Sequence, residues 1–313
     1  MLNFTDFYNN KTQVSVQNSK LLELRIMILT PNLISFCCFL YIVAIMLNVF
    51  FTTPHVRDNA RYILFAHMII NDLIYLVIAI SLFLLGLFLV TVPVTVCYFV
   101  LIISSSSFKV TPFNLAVMSL ERYVAICIPL RHAEFCTKQR TGNMIAIIWI
   151  MGLIPQIADF IILTSSVHMD YFSQSDYCSR SIFLNTESQN MLRSAMHAMT
   201  FSLVALVIVF TYVRIMLVAK KIDSAKGSAS KASKTVMLHA IQLLLCLLAF
   251  TYPITETYLK GYMFPIINFS LFMCLPRFIS PLIYGIRDDA FRTCITRYVF
   301  CRSVKINVDQ FTH

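Results

Sequence analysis

Residues 97–136, CYFVLIISSSSFKVTPFNLAVMSLERYVAICIPLRHAEFC, decide how this chain is organised. The stretch is mainly apolar, with Cys97 at its start and Glu121-Arg122-Tyr123 toward its far end. At helical rise, the roughly 25 residues from Cys97 to Arg122 cover about 37 Å, slightly more than the hydrocarbon core of a bilayer. A single helix over this stretch would therefore present Cys97 and Arg122 to opposite sides of a membrane.

The composition excludes the ordinary soluble classes. Of 313 residues, 58% are hydrophobic and 13% charged, and the mean hydropathy is +0.75. A soluble domain needs more polar surface than this. The net charge of +10 would suit a nucleic-acid partner, but the basic residues lie in the gaps between apolar runs. This placement favours membrane topology over nucleic-acid binding.

Seven apolar segments of about twenty residues or more follow a polar start, and each is long enough to cross a bilayer as a helix. They lie at residues 27–51, 62–90, 93–127, 143–164, 193–219, 235–259 and 262–285. The pattern predicts an all-α membrane protein, a seven-transmembrane helix bundle with a short amphipathic C-terminal helix. We expect one domain over residues 1–313, divided into an extracellular tail at 1–26, the seven-helix bundle at 27–285, and a cytosolic amphipathic helix and tail at 286–313.

Charge indicates which way the bundle faces. With the N-terminus outside, 17 of the 25 Lys and Arg residues fall on the cytosolic side and 6 on the extracellular side, as the positive-inside rule requires. Two glycosylation sequons, at Asn3 and Asn10, favour the same orientation. The expected location is the plasma membrane, with an extracellular N-terminus and a cytosolic C-terminus.

The motif MSLERYVAICIPLRH at residues 118–132 resembles the MAxDRYVAICxPLRY motif of vertebrate odorant receptors, and those of fish most of all. These proteins are a branch of the rhodopsin-like G-protein-coupled receptors. Glu121 replaces the usual aspartate, while Tyr212 and the run Pro281 to Tyr284 also fit the family. The chain departs from it at Ser280, where relatives have Asn, and at Thr251, where they have an aromatic residue.

The resemblance implies a receptor rather than an enzyme. It would bind a small-molecule odorant in the extracellular half and activate a heterotrimeric G protein, of the stimulatory olfactory type, at the cytosolic face. Glu121 would hold Arg122 in the inactive state and release it toward Tyr212 and Tyr284. A membrane transporter or channel that uses intramembrane Lys109, Asp72 and Arg277 is the alternative, although the seven segments show no internal repeat.

The predicted topology divides the ten cysteines among the spans and the two sides of the membrane. With the N-terminus outside, Cys97 and Cys178 alone reach the oxidising side, where they are expected either to form a disulfide or to remain as two thiols. The resemblance implies the disulfide, which would hold the loop after the fourth span over the mouth of the bundle. At the cytosolic end, Phe291, Ile295 and Tyr298 form the apolar stripe of the predicted amphipathic helix, and Cys294 and Cys301 are candidates for palmitoylation.

Two charges of opposite sign fall inside predicted spans. Asp72 lies near the middle of the second span and Arg277 in the seventh, one turn before Pro281. Because an isolated charge in a bilayer is expensive, we expect Asp72 and Arg277 to pair, or Arg277 to reach water in an internal cavity. Many members of the resembled family hold sodium at this aspartate, and Arg277 would replace that ion.

The resemblance places the ligand between the third, fifth and sixth helices. The positions there are Ser104, Ser105, Phe108, Lys109, His197, Phe201, Thr251, Thr255 and Tyr258. Lys109 lies about 18 Å below Cys97 at helical rise, where it is expected to pair with Asp159 or Glu256 or to meet an anionic ligand. The histidines show no metal-ligand spacing and no glycine-rich phosphate loop occurs, so the sequence predicts no cofactor and no metal.

Overall fold

The computed structural model describes residues 4–178, 187–222 and 268–279, together with the single positions 237, 241, 244 and 281. The seven α-helices of this part are α1 (Phe4–Thr52), α2 (Pro54–Asp58), α3 (Ala60–Leu87), α4 (Val94–Cys127), α5 (His132–Phe135), α6 (Lys138–Ser166) and α7 (Glu187–Ile222). Two strands, β1 (Thr91–Pro93) and β2 (Ser175–Tyr177), form an antiparallel pair. Short 3₁₀ helices cover Pro129–Arg131 and Met169–Ser173, and a π-helical turn covers Phe269–Cys274.

Five of these helices contain segments that are long and apolar enough to cross a membrane. The segments are Leu29–Thr52, Ala60–Leu87, Val94–Cys127, Lys138–Ser166 and Met191–Val218. They overlap the first five predicted spans, so the helical, multi-pass character expected from hydropathy is confirmed. The sixth predicted span, 235–259, lies almost wholly outside the described residues, and the seventh, 262–285, is described as helical at 268–279.

Helix α1 begins earlier than the predicted first span at residue 27. It continues without interruption from Phe4 through the polar start of the chain. Residues 4–30 contain neither glycine nor proline, so no residue in this stretch breaks a helix. Pro31 lies within the helix and removes one backbone donor.

The turns between helices follow from local capping. Asn59 caps α3, because its side chain accepts a hydrogen bond from the backbone amide of Arg61 at 3.1 Å. Thr137 caps α6 in the same way through the amide of Arg140, at 3.3 Å. Such caps satisfy amide groups that a helix start leaves without partners. Each therefore sets where a membrane helix begins.

Helix α4 lies at the centre of the described bundle and contacts α3, α6 and α7. Its buried positions include Val110, Asn114 and Leu115. Large apolar side chains on the outer faces are exposed instead, such as Ile161 on α6 and Leu206 on α7, the latter 67% exposed. In a membrane these faces meet lipid, and the buried polar side chains lie inside the bundle. The functional side chains are accordingly found on or around α4.

Candidate functional site

The two ends of α4 carry different chemistry. At one end, which we call the disulfide end, Cys97 is bonded to Cys178 with an S–S distance of 1.99 Å. Strand β1 pairs with β2 just beside this bond, and the Thr95 hydroxyl donates to the carbonyl oxygen of Phe172 at 2.7 Å. The segment after α6 is therefore fixed over the end of α4, and of the two outcomes expected for these cysteines the disulfide is the one present.

The opposite end of α4 carries the charged triplet. Glu121 is buried, and its Oε2 lies 3.8 Å from Nε of Arg122. Its other oxygen, Oε1, lies 3.2 Å from Nε2 of His132 on α5. The acidic residue is therefore shared between Arg122 on its own helix and a histidine on the next.

Sequence reasoning did not assign a role to His132. The available signal was its place at the end of the motif, where the resembled family has tyrosine and this chain has histidine. Four residues further on, Cys136 lies close to the same carboxylate. Burial and the negative charge of Glu121 both raise the pKa of the Cys136 thiol. The thiol is therefore held in its neutral form at neutral pH.

The tyrosines named from sequence lie in different places. Tyr123 packs against Phe210 of α7, with ring centroids 5.8 Å apart. Tyr212 lies two residues further along α7, and its side chain is 39% exposed. Tyr284 lies outside the described residues. The contact of Tyr123 with Phe210 thus links the Glu121 end of α4 directly to α7.

A second polar centre lies deeper in the bundle. Nη1 of Arg277 donates to Oδ1 of Asp72 at 2.5 Å, and both side chains are buried. Thr111 on α4 completes the group, because its hydroxyl donates to the same Asp72 oxygen and accepts from Arg277, each at 3.2 Å. The structure thus brings Asp72 and Arg277 together through a direct ion pair.

Aromatic rings cover the guanidinium of Arg277. Its Cζ lies 3.7 Å from the centroid of the Tyr75 ring and 5.6 Å from that of Phe108. Both distances are within the range of cation–π attraction. The positive charge of Arg277 is therefore stabilised by the Asp72 carboxylate and by two aromatic rings. A water-filled cavity, the other environment expected for Arg277, would provide neither contact.

A polar network continues from this centre along α3 and α4. Asn71, adjacent to Asp72, donates to the carbonyl oxygen of Ser107 and to the Thr111 hydroxyl, each at 3.0 Å. The Ser107 hydroxyl in turn donates to Oδ1 of Asn71 at 2.9 Å. From sequence, the serine run is expected to supply either interhelical hydrogen-bond donors or hydroxyl groups for a ligand pocket, and Ser107 is an interhelical donor. The signal that was missed is Asn71, a polar residue on α3 directly before Asp72.

His67 links three helices nearer the Glu121 end. Nε1 of Trp149 on α6 donates to Nε2 of His67 at 2.9 Å. The other ring nitrogen, Nδ1, therefore carries the proton and donates to Oδ1 of Asn114 on α4 at 3.1 Å. Both nitrogens are satisfied, so His67 is a neutral structural link between α3, α4 and α6.

The described ligand candidates lie on two helices in contact with each other. Ser104, Ser105, Phe108 and Lys109 are on α4, and His197 and Phe201 are on α7. Lys109 is buried and the other five are partly buried. Thr251, Thr255 and Tyr258 lie outside the described residues.

Asp159 is paired with a different residue from the one expected. Asp159 was expected as a partner of Lys109, but Nε of Arg193 on α7 donates to Oδ2 of Asp159 at 2.7 Å. The two residues lie on adjacent helices in the same half of the bundle, whereas Lys109 lies further from the disulfide end of α4. Glu256, the other expected partner of Lys109, lies outside the described residues.

The predicted modification sites receive little structural description. Asn3, Cys294 and Cys301 lie outside the described residues, and Asn10 lies within α1. In the described part of the chain, no three His, Cys, Asp or Glu side chains are grouped so as to hold a metal ion. The described chemistry is therefore that of helix contacts, ion pairs and one disulfide.

Comparison with known proteins identifies this arrangement. Residues 42–284 match the family described as 7 transmembrane receptor (rhodopsin family). The chain is 31% identical over 271 residues to "Odorant receptor 131-2" of Danio rerio, an alignment that covers 84% of this chain and 82% of that protein. It is 25% identical over 205 residues to "Olfactory receptor 6Y1" of Homo sapiens, covering 60% of each. The chain therefore belongs to the rhodopsin family of seven-transmembrane receptors, within its odorant-receptor branch.

Proposed function

We propose that this odorant receptor binds its small-molecule ligand in the half of the bundle beneath the Cys97–Cys178 disulfide and activates a stimulatory, olfactory-type G protein at the end that carries Arg122. The observation that carries the proposal is the placement of both sites on α4, with the disulfide at one end and the Glu121–Arg122 contact at the other. One continuous helix thus connects the disulfide with the charged cluster. The proposed function includes no catalytic step.

The proposed arrangement in the membrane follows the charge distribution. The N-terminus and the disulfide end face outside, and the Glu121 end faces the cytosol, where most Lys and Arg residues lie. The bundle has seven spans over residues 27–285 in a single domain of residues 1–313. We further propose, from the sequence pattern, that residues 286–313 comprise an amphipathic helix and tail on the inner leaflet, with Cys294 and Cys301 as acylation sites.

Activation requires an element with two arrangements. The distance of 3.8 Å between Nε of Arg122 and Oε2 of Glu121 is longer than a hydrogen bond. The contact between Glu121 and the guanidinium is therefore mainly electrostatic, and in this proposal a rearrangement of the helices breaks it. Once released, Arg122 turns toward Tyr212 and Tyr284 and opens the surface that receives the G protein.

The ligand half has the composition of a small-molecule site. Partly buried Ser104, Ser105, Phe108 and Phe201 combine hydroxyl groups with apolar rings, which suits a compact organic ligand with one or two polar groups. Contact of such a ligand with both α4 and α7 would change the relative position of these helices. Because Tyr123 packs on Phe210, that change reaches the neighbour of Arg122.

The test is cyclic-AMP accumulation in cells that express the wild type, Arg122→Ala or Arg140→Ala at matched surface levels. Amino acids, amines, carboxylic acids and neutral volatiles serve as ligands. We expect a ligand-dependent rise that is lost in Arg122→Ala and kept in Arg140→Ala, because Arg140 lies in the first turn of α6 and contacts Phe135. Solute flux or current from well-expressed wild type, with no Arg122-dependent signal, would instead indicate a transporter or channel.

A further inference from the structure

A buried ion pair joins two helices in the disulfide half of the bundle. Asp159 on α6 and Arg193 on α7 are linked by the 2.7 Å hydrogen bond from Nε to Oδ2, and their side chains are 7% and 16% exposed. Removing two charges from water is expensive, and an apolar pair of similar size usually stabilises a fold as well. Stability alone therefore does not account for charges at these two positions.

The pair lies on the same side of the bundle as the Cys97–Cys178 disulfide. Tyr98, next to Cys97, packs on Phe160, with ring centroids 5.3 Å apart. Its hydroxyl is close enough to Asp159 and Arg193 for both charges to act on it. Arg193 also lies one helical turn from His197 on α7. The pair thus borders the residues that the family resemblance assigns to the ligand.

The hydrogen-bonding capacity of the pair is only partly used. Oδ1 of Asp159 is buried and accepts no hydrogen bond. Among the described residues, Arg193 makes one side-chain hydrogen bond, through Nε, and its guanidinium carries further donors. A buried carboxylate oxygen without a donor destabilises the structure that contains it. A molecule that brings a donor to Oδ1 and an acceptor to Arg193 would remove that defect.

The net charge of the pair indicates which class of ligand would fit it. Asp159 and Arg193 together carry no net charge. The charge of a singly charged ligand would therefore have no counter-charge in this buried site. A ligand with an ammonium and a carboxylate adds none. We propose that Asp159 and Arg193 are specificity-determining residues for a small zwitterion, such as a free amino acid, with its ammonium at Oδ1 of Asp159 and its carboxylate at Arg193. This inference rests on the proposed function and names its ligand class.

The test measures binding without the G protein. Purified full-length receptor in lipid nanodiscs is unfolded thermally with L-alanine, L-leucine or L-phenylalanine. The same is done with 3-methylbutylamine and 4-methylpentanoic acid, which are leucine without its carboxylate and without its ammonium. We expect a saturable rise in unfolding temperature with at least one amino acid, and apparent affinity at least about tenfold weaker for both single-charge probes, because each loses a charge-assisted contact.

Variants separate recognition from packing. Asp159→Asn keeps the shape of the side chain and an acceptor for Arg193, and should weaken amino-acid binding about tenfold or more. Asp58→Asn removes an acid from an exposed pair with Lys138, 2.8 Å apart, and should leave binding unchanged. The inference is overturned if no amino acid gives a saturable shift, if a single-charge probe binds equally well, or if Asp159→Asn binds as the wild type does.

Failure of this inference differs from failure of the receptor function. If the zwitterions do not bind but another compound raises cyclic AMP through Arg122, the ligand class is wrong and the signalling role stands. If the zwitterions bind in nanodiscs and no compound gives an Arg122-dependent signal, the site stands and the proposed coupling is wrong.

Discussion

Glu121 is shared between two basic side chains from different elements. Its Oε2 faces Arg122 at 3.8 Å and its Oε1 faces His132 at 3.2 Å. A histidine bound to one oxygen fixes the plane of the carboxylate and therefore the position of the other oxygen. His132 thus positions Glu121 for its contact with Arg122.

Loss of His132 should raise signalling without ligand. In His132→Leu, the Glu121 carboxylate loses a hydrogen-bond partner, and a hydrogen bond that involves a charged group contributes about 1.5–3 kcal/mol, so the proposed inactive state should become less populated. We expect basal cyclic AMP to rise severalfold at equal surface expression. His132→Gln, whose side-chain amide can donate, should show a smaller rise. Equal basal signals in the wild type and both variants would contradict the role of His132.

Arg277 and Asp72 form the other residue-scale centre. Arg277→Ala leaves the Asp72 carboxylate buried without its cation, which destabilises a protein by about 3–5 kcal/mol in typical cases. We expect surface expression and ligand response to fall sharply. The double variant Asp72→Asn with Arg277→Gln removes both charges and should recover part of the expression, measured by flow cytometry. Unchanged expression in Arg277→Ala would show that the pair is not needed for folding.

At the scale of elements, α4 and α6 approach closely at one glycine. A Cβ atom at Gly152 would lie 3.2 Å from the backbone oxygen of Ser106 and 3.2 Å from Cγ2 of Val110. These distances are shorter than ordinary van der Waals contacts. The absence of a side chain at Gly152 thus permits the contact between the two helices.

Two glycines of α6 allow this contact to be tested with a matched control. Gly152→Leu should lower the unfolding temperature of the purified receptor, because the new side chain pushes α6 away from α4. Gly142→Leu should keep or raise it, since a Cβ there meets nothing within 4 Å and leucine favours a helix by about 1 kcal/mol over glycine. A similar response of both variants would mean that close packing at Gly152 does not contribute to stability.

At the scale of the whole molecule, apolar side chains lie on both the inside and the outside of the bundle. Leu206 and Ile161 are exposed, whereas Asn71, Asp72 and Asn114 are buried. This distribution is stable only where the solvent is lipid, which cannot hydrogen-bond to polar groups. From the same distribution we expect a residue change inside the bundle to affect expression as well as signalling.

The orientation of the molecule has its own test. With the N-terminus outside, Asn3 and Asn10 reach the glycosylation machinery. We expect treatment with an N-glycosidase to increase the gel mobility of the wild type but not of the double variant Asn3→Gln with Asn10→Gln. An epitope at the C-terminus should be stained only in permeabilised cells. Staining of intact cells at the C-terminus would reverse the proposed topology.

Much of this protein follows from local sequence. Hydropathy determined the first five spans, because about twenty apolar residues form a helix in lipid whatever their neighbours are. The motif at 118–132 determined the family. The pairing of Asp72 with Arg277 was one of two outcomes that the sequence left open, since a charge within a bilayer must find either a partner or water. These features depend on residue type and spacing along one chain.

Tertiary structure decided the remaining contacts. The sharing of Glu121 with His132, the replacement of Lys109 by Arg193 as the partner of Asp159, and the links from His67 to Asn114 and Trp149 all cross between elements. Spacing shows which face of a helix a residue occupies, but not which residue of another helix faces it. That choice depends on the rotation, tilt and depth of each helix, which packing of the whole bundle sets.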